Sequence, residues 1–145
     1  TRIPFIVSWK KNVANGKVSN ALLSQIDLYA SLAELTGQSI PSGDAPDSRN
    51  SLHTLLNKSN QSREWVVEQS VNSTLSIIQD NWKYIEPSNG PKKINETNIE
   101  LGNDNQPQLY NLKEDIGETT NRAAELPEKV AALALLLSDI RKGQR

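Results

Sequence analysis

Gln108-Leu109-Tyr110-Asn111-Leu112-Lys113-Glu114-Asp115, followed by an acidic turn and then Pro127 to Lys142, is the stretch on which the fold is decided. Leu109, Tyr110 and Leu112 carry strand-type side chains, and Asp115, Gly117 and Glu118 punctuate the loop that follows. Pro127 stands where a first helical turn tolerates a missing N–H, and Glu128 complements that end of the helix dipole. Arg141 and Lys142 complement the other end, and Gly143 stops the helix. Val130, Leu133, Ala134, Leu137 and Ile140 recur at spacings of three and four, an apolar stripe that needs a sheet to cover.

Working back from there, three short runs supply that sheet. Trp65 to Glu68, Leu75 to Ile78 and Trp82 to Ile85 are each bounded by turn residues, and Asp80-Asn81 has the length and residue types of a tight hairpin turn. With Leu109 to Leu112 they make a small four-stranded antiparallel sheet packed by the C-terminal helix, an α+β arrangement. Alternation puts Lys83 on the opposite face from Trp82 and Tyr84, where it is expected in solvent. Between Glu86 and Gln106 lies a polar segment with little to bury, long enough to be mobile or to serve as a binding loop.

The front of the chain is different in kind. Ile3 to Trp9 reads as a strand buried on both faces, of the sort found in parallel sheets covered by helices, and this chain has too few helices to cover one. Its neighbours are expected before Thr1. A second short strand is expected at Ala21 to Leu23, and Ser24 with Asp27 forms a capping-box pattern opening a helix from Gln25 to Thr36, ended by Gly37. Ile26, Tyr29, Ala30, Ala33 and Leu35 are expected on its buried side. Residues 39–50 read as a loop crossing between two bodies, and Ser51 to Leu56 as a turn of helix. Residues 1–50 are therefore assigned to one body and 51–145 to a second.

Composition bounds the function. The balance of 16 basic to 17 acidic side chains gives no electrostatic reason to expect nucleic acid or an anionic membrane surface as a partner. No apolar run approaches a membrane span, and Cys is absent, so no thiolate zinc site, disulfide or cysteine nucleophile is available within these residues. Met is absent as well, and Thr1 is expected not to be the native start.

Little chemistry is visible. His53 is the only histidine, and without ligand partners at metal spacing it reads as a surface or structural residue. Asp44, Asp47, Glu114, Asp115 and Glu118 fit no standard calcium loop and read as turn acids. Trp65, Trp82 and Tyr84 read as core in preference to an aromatic platform. No catalytic residue and no metal ligand is assigned. Asn72 and Ser73, in the turn between two strands, are the candidate substrate-rim residues, together with the loop from Pro87 to Gln106, because loops on a rigid scaffold carry selectivity.

Three stretches, in this order, resemble the C-terminal end of the sulfatase family, within the alkaline-phosphatase-like superfamily. Arg2-Ile3-Pro4-Phe5-Ile6-Val7-Ser8-Trp9 is similar to its Arg-x-Pro-apolar strand. Ser24-Gln25-Ile26-Asp27-Leu28 through Leu35-Thr36-Gly37 resembles its Asp-Leu-x-Pro-Thr-Leu helix, and Gln108 to Glu118 with Asn121 resembles its Leu-Tyr-Asp-Leu signature before the final helix. Asp80-Asn81-Trp82-Lys83-Tyr84-Ile85 is like the family hairpin ending in Lys-Tyr. Ala30 and Ser31 depart from the usual Pro-Thr, Ile116 from the usual Pro, and Gln79 from a frequent Arg.

The resemblance implies that the leading strand and helix belong to a larger alkaline-phosphatase-like α/β domain, and that the parent protein is a sulfuric ester hydrolase acting on sulfated carbohydrate. It implies a formylglycine and a calcium ion, both held by motifs that precede Arg2 in the family, so the catalytic N-terminal domain becomes this chain's first partner. It also implies a bacterial periplasmic or secreted location. The chain alone is expected to be inactive and to self-associate through its first strand. Two alternatives stand beside this reading: a free-standing carbohydrate- or protein-binding module, and a related phosphodiesterase or phosphonate hydrolase.

Overall fold

The computed structural model describes residues 3–143, so the expectations about Thr1 as a cut end and Arg2 as the start of the first motif lie outside the described residues. The chain divides into two compact units, Thr1–Glu64 and Trp65–Arg145.

In the first unit, Ile3 to Trp9 and Ala21 to Leu23 form no strand, contrary to expectation. A strand exists only as part of a ladder, and no described segment pairs with either run. Helix α1 spans Asp27–Leu35, and the single-turn α2 spans Leu52–Leu55. The expected burial of α1 is inverted. Asp27, Ala30 and Ser31 are buried, whereas Ile26, Tyr29 and Leu35 are exposed. The reason is what α1 packs on: Ser31 Oγ donates to the Asp27 carbonyl at 2.6 Å and accepts the Ser51 amide at 2.9 Å, drawing the helix's small, polar side toward α2. At the helix start, Ser48 Oγ accepts the Ala30 amide at 3.0 Å and donates to the Ile26 carbonyl at 2.7 Å. Those bonds give a partner to one of the donors that a helix N-terminus leaves unpaired. Gly37 ends the helix at φ +68°, a conformation that costs glycine little.

The second unit is a sheet with one helix on it. Strands β1 (Trp65–Gln69), β2 (Leu75–Gln79), β3 (Trp82–Ile85) and β6 (Gln108–Asn111) are antiparallel in the order β1-β2-β3-β6. The expected two-residue turn is present: Gln79 pairs with Trp82, and Asp80 takes φ +55° between them. Helix α3 spans Pro127–Arg141, with proline in its first turn. Register aligns Val67, Ile77, Tyr84 and Leu109 across one face, where Leu133 and Leu137 of α3 close over them. Val130, Ala134 and Ile140 pack at the margin, as the stripe requires. Ile77 and Leu109 are 0% exposed, and each such burial stabilises by about 1.5–3 kcal/mol.

Residues 86–107 are more ordered than their composition suggests. They contain a second ladder, β4 (Lys93–Ile94) against β5 (Ile99–Glu100). The outer edge of β6 is covered rather than open: Asn121 Oδ1 accepts the Leu109 amide at 3.0 Å, and the Arg122 amide donates to the Leu109 carbonyl at 2.8 Å.

Candidate functional site

The sheet sends two loops from one end, and the structure ties them together. The turn after β1 carries Asn72 and Ser73, both exposed, with Ser73 at φ +65° and its amide on the Ser70 carbonyl at 3.0 Å. The next residue, Thr74, is buried and donates from Oγ1 to Asn103 Oδ1 at 2.5 Å. Asn103 belongs to the segment after β5 and is itself 3% exposed. Its Oδ1 also accepts Ser88 Oγ at 2.8 Å, and its Nδ2 donates to the Pro91 carbonyl at 2.8 Å. One amide side chain therefore fastens the base of the β4–β5 hairpin to the β1–β2 turn. Gly90 is needed beside it, since a Cβ there would lie 2.6 Å from Asn103 Nδ2.

The hairpin closes further on itself. Lys92 Nζ meets Asp104 Oδ2 at 2.5 Å, the Ser88 amide reaches the Asp104 carbonyl at 2.7 Å, and the Leu101 amide reaches the Lys92 carbonyl at 2.9 Å. The Lys92 ammonium, with the Gln106 amide, holds the Asp104 carboxyl below its ordinary value. At the root of the loop, Glu86 accepts the Leu75 amide at 2.9 Å and pairs with Arg141 of α3 at 2.5 Å. This rim is rich in amides and hydroxyls, groups suited to hydrogen-bonding a polyol, and its cations are already paired.

On the sheet face away from α3, Lys83 departs from the sequence expectation. It does lie opposite Tyr84, as alternation demands, but it is 5% exposed instead of solvated. Its Nζ lies 2.9 Å from Glu118 Oε1 and 3.5 Å from Glu68 Oε2. Glu118, from the segment between β6 and α3, folds over that face with φ +54°. Alternation can assign a face but not what covers it. Tyr110 shares this face, and burial followed by the nearby Glu118 charge pushes its phenol above the ordinary value.

The first unit holds a second buried charge system that the sequence reading missed. Arg63 Nε and Nη2 grip Asp27 Oδ2 and Oδ1 at 2.7 and 2.5 Å, with the side chains only 4% and 2% exposed. The Arg49 and Ser24 amides complete the carboxylate's shell at 2.9 and 3.1 Å, the latter being the reciprocal half of the expected capping box. Burial alone would raise this carboxyl; the Arg63 bond and the two amides outweigh it and hold the carboxyl below 3.8.

The remaining candidates stay apart. The His53 side chain is 69% exposed, 3.9 Å from Glu34. Asp115 accepts the Thr119 and Thr120 amides at 2.8 Å, a turn contact that lowers its carboxyl. Tyr84 is in the core, Trp65 and Trp82 pack against it, and Lys129 lies 5.2 Å over the Trp82 ring, so these aromatics form no open platform. Among the described residues, no group of three His, Cys, Asp or Glu could hold a metal ion, and no helix is long and apolar enough to cross a membrane.

No protein-family model matches the chain. It is 50% identical over 97% of its length to an N-acetylgalactosamine-6-O-sulfatase of Bacteroides thetaiotaomicron, of which it covers 27%. It is 27% identical to arylsulfatase K of Bos taurus, over 97% of this chain and 25% of that protein. The chain thus spans about a quarter of the length of the curated relatives it matches. Among solved structures, one described for the metabolism of multiple glycosaminoglycans by Bacteroides thetaiotaomicron superposes with TM-score 0.81 at 48% identity, over 86% of this chain and 26% of that one. A sulfatase from Pseudoalteromonas sp. shares the fold, with TM-score 0.70 at 18% identity, over 92% of this chain and 28% of that one.

Proposed function

The chain belongs to the sulfatase family as a C-terminal portion of one of its members, and on that premise we propose that the whole protein hydrolyses sulfate esters of carbohydrate. The observation that carries this is the 50% identity, along nearly all of the chain, to an enzyme named for the 6-O-sulfate of N-acetylgalactosamine. A 6-O-sulfated N-acetylhexosamine is accordingly the substrate class to try first. The test is sulfate release by the full polypeptide from 6-O-sulfated N-acetylgalactosamine, against its 4-O-sulfated isomer. Selective turnover of the first supports the reading, and turnover of neither refutes it.

The formylglycine and calcium ion implied by family resemblance find no fit in these residues. The sequence contains no Cys/Ser-x-Pro/Ala-x-Arg motif, and the described residues hold no cluster of metal ligands. We therefore assign both to the rest of the polypeptide and give this chain an architectural role: a small sheet and helix whose rim, Asn72 and Ser73 with the loop to Gln106, shapes access to substrate. The Thr74–Asn103 bond supports that role, because it makes the two loops one pre-organised edge. The resemblance to bacterial sulfatases supports a periplasmic or secreted location, which fractionation of the native cells would test.

A further inference from the structure

Helix α1 is built inside out. Its buried side consists of Asp27, Ala30 and Ser31, while Ile26, Tyr29, Leu32 and Leu35 are 50, 52, 50 and 40% exposed. These four recur every three residues along the helix, so they form one continuous stripe rather than scattered surface apolar residues. A helix normally turns such a stripe inward, because burial of each large apolar side chain drives packing. Here the inward side is fixed instead by hydrogen bonds from Ser31, Ser48 and Arg63, which a different rotation of the helix would break. Both sides of α1 are therefore specified, one by polar bonds to its own unit and one for an apolar surface that the described residues leave open.

We infer that the Ile26–Tyr29–Leu32–Leu35 stripe is the docking face for the remainder of the same sulfatase polypeptide. The length relation identifies the occupant: the chain matches its relative over 97% of itself but spans only 27% of it, so most of that protein lies outside the matched region and is large enough to cover the stripe. The same unit exposes Ile3, Phe5 and Ile6 at 63, 53 and 88%, a second apolar surface asking for the same cover. The stripe itself carries no charge, as an interior contact requires and a reversible surface contact usually does not. This inference rests on the chain being part of a longer polypeptide and is indifferent to which ester that polypeptide cleaves.

The test is thiol labelling in the full polypeptide, with Tyr29→Cys and Leu32→Cys compared against His53→Cys, whose parent side chain is 69% exposed. Labelling at the two stripe positions is expected to be at least about 100-fold slower than at the control, since it must await local opening. Rates within about threefold of the control overturn the inference. Protection that fades on dilution, together with a dimer by light scattering, assigns the face to a second copy and also overturns it. If the cysteine variants do not fold, hydroxyl-radical footprinting of the unsubstituted polypeptide reads the same surface. Tyr29 oxidation is expected to be strongly suppressed relative to the urea-unfolded protein, and equal oxidation contradicts the assignment. Sulfate release is measured on the same samples, so an inactive polypeptide with a protected stripe would reject the sulfatase reading while leaving this interface standing.

Discussion

Breaking the Asp27–Arg63 pair should loosen α1 by a large and asymmetric amount. In Arg63→Met, a carboxylate 2% exposed keeps the Arg49 and Ser24 amides but loses both guanidinium bonds. It can relieve its burial by taking up a proton. In Asp27→Ala, a guanidinium 4% exposed is left with the Asp47 carbonyl, and two backbone amides lose their acceptor. Removing one member of such a buried pair costs about 3–5 kcal/mol, which speeds exchange roughly 150- to 5,000-fold at about 1.4 kcal/mol per tenfold. Asp27→Ala should sit at the upper end, Arg63→Met at the lower, and Asp27→Asn below both because its amide oxygen still accepts. The apolar replacement Asp27→Leu with Arg63→Met should cost less than the two single changes summed. The assay is hydrogen exchange with mass spectrometry on peptides covering residues 25–38, where protection reports local opening. The folded carboxyl lies below 3.8, so the pair's contribution is fully present above that pH and is lost as pH falls through the lower folded value. Protection of α1 that changes less than about fivefold in Asp27→Ala, or that holds steady through pH 3, would refute the assignment of this pair as the anchor of the helix.

Other perturbations act in the second unit. Lys83→Ala leaves the Glu68 and Glu118 carboxylates facing each other without the ammonium and should destabilise the sheet by about 1–3 kcal/mol in thermal unfolding; an unchanged midpoint would contradict the buried bridge. Gly90→Ala drives a methyl into Asn103, which three hydrogen bonds hold in place, so limited proteolysis within residues 86–107 should quicken several-fold while cleavage elsewhere does not. Burial, with Glu86 adding to it, raises the Tyr84 phenol above 10. Its stabilising contribution is therefore present below pH 10 and lost above it, which ultraviolet titration of Tyr84→Phe against the parent chain would reveal.

The parts of this fold that can be read from the sequence are those with a local signature. Alternation found β1 to β3 and β6, Asp80-Asn81 gave the hairpin, and the period of Val130 to Ile140 gave α3 and the face it covers. Where partners are distant, the local signal fails. Asp27 and Arg63 lie 36 residues apart, and nothing near either announces the other. Asp27 was legible as a cap and not as a buried charge. Lys83 was given its face but not its cover, because Glu118 arrives from 35 residues downstream. Of the rim, Asn72 and Ser73 could be singled out as turn residues, but Asn103, which holds that turn to the hairpin, stands in a polar run where no periodicity marks one amide from another. Ile3 to Trp9 shows the converse: strand composition is present, and the ladder that would make it a strand is not among the described residues.

The central claim is that these residues belong to a longer sulfatase whose chemistry is carried by other parts of the polypeptide. Peptide mass mapping of the native protein, read toward its N-terminus from Thr1, tests it most directly. The account predicts a chain several times longer that contains a Cys/Ser-x-Pro/Ala-x-Arg peptide at the mass of formylglycine or of its unmodified precursor. A native polypeptide that begins close to Thr1, with no such peptide, would contradict it.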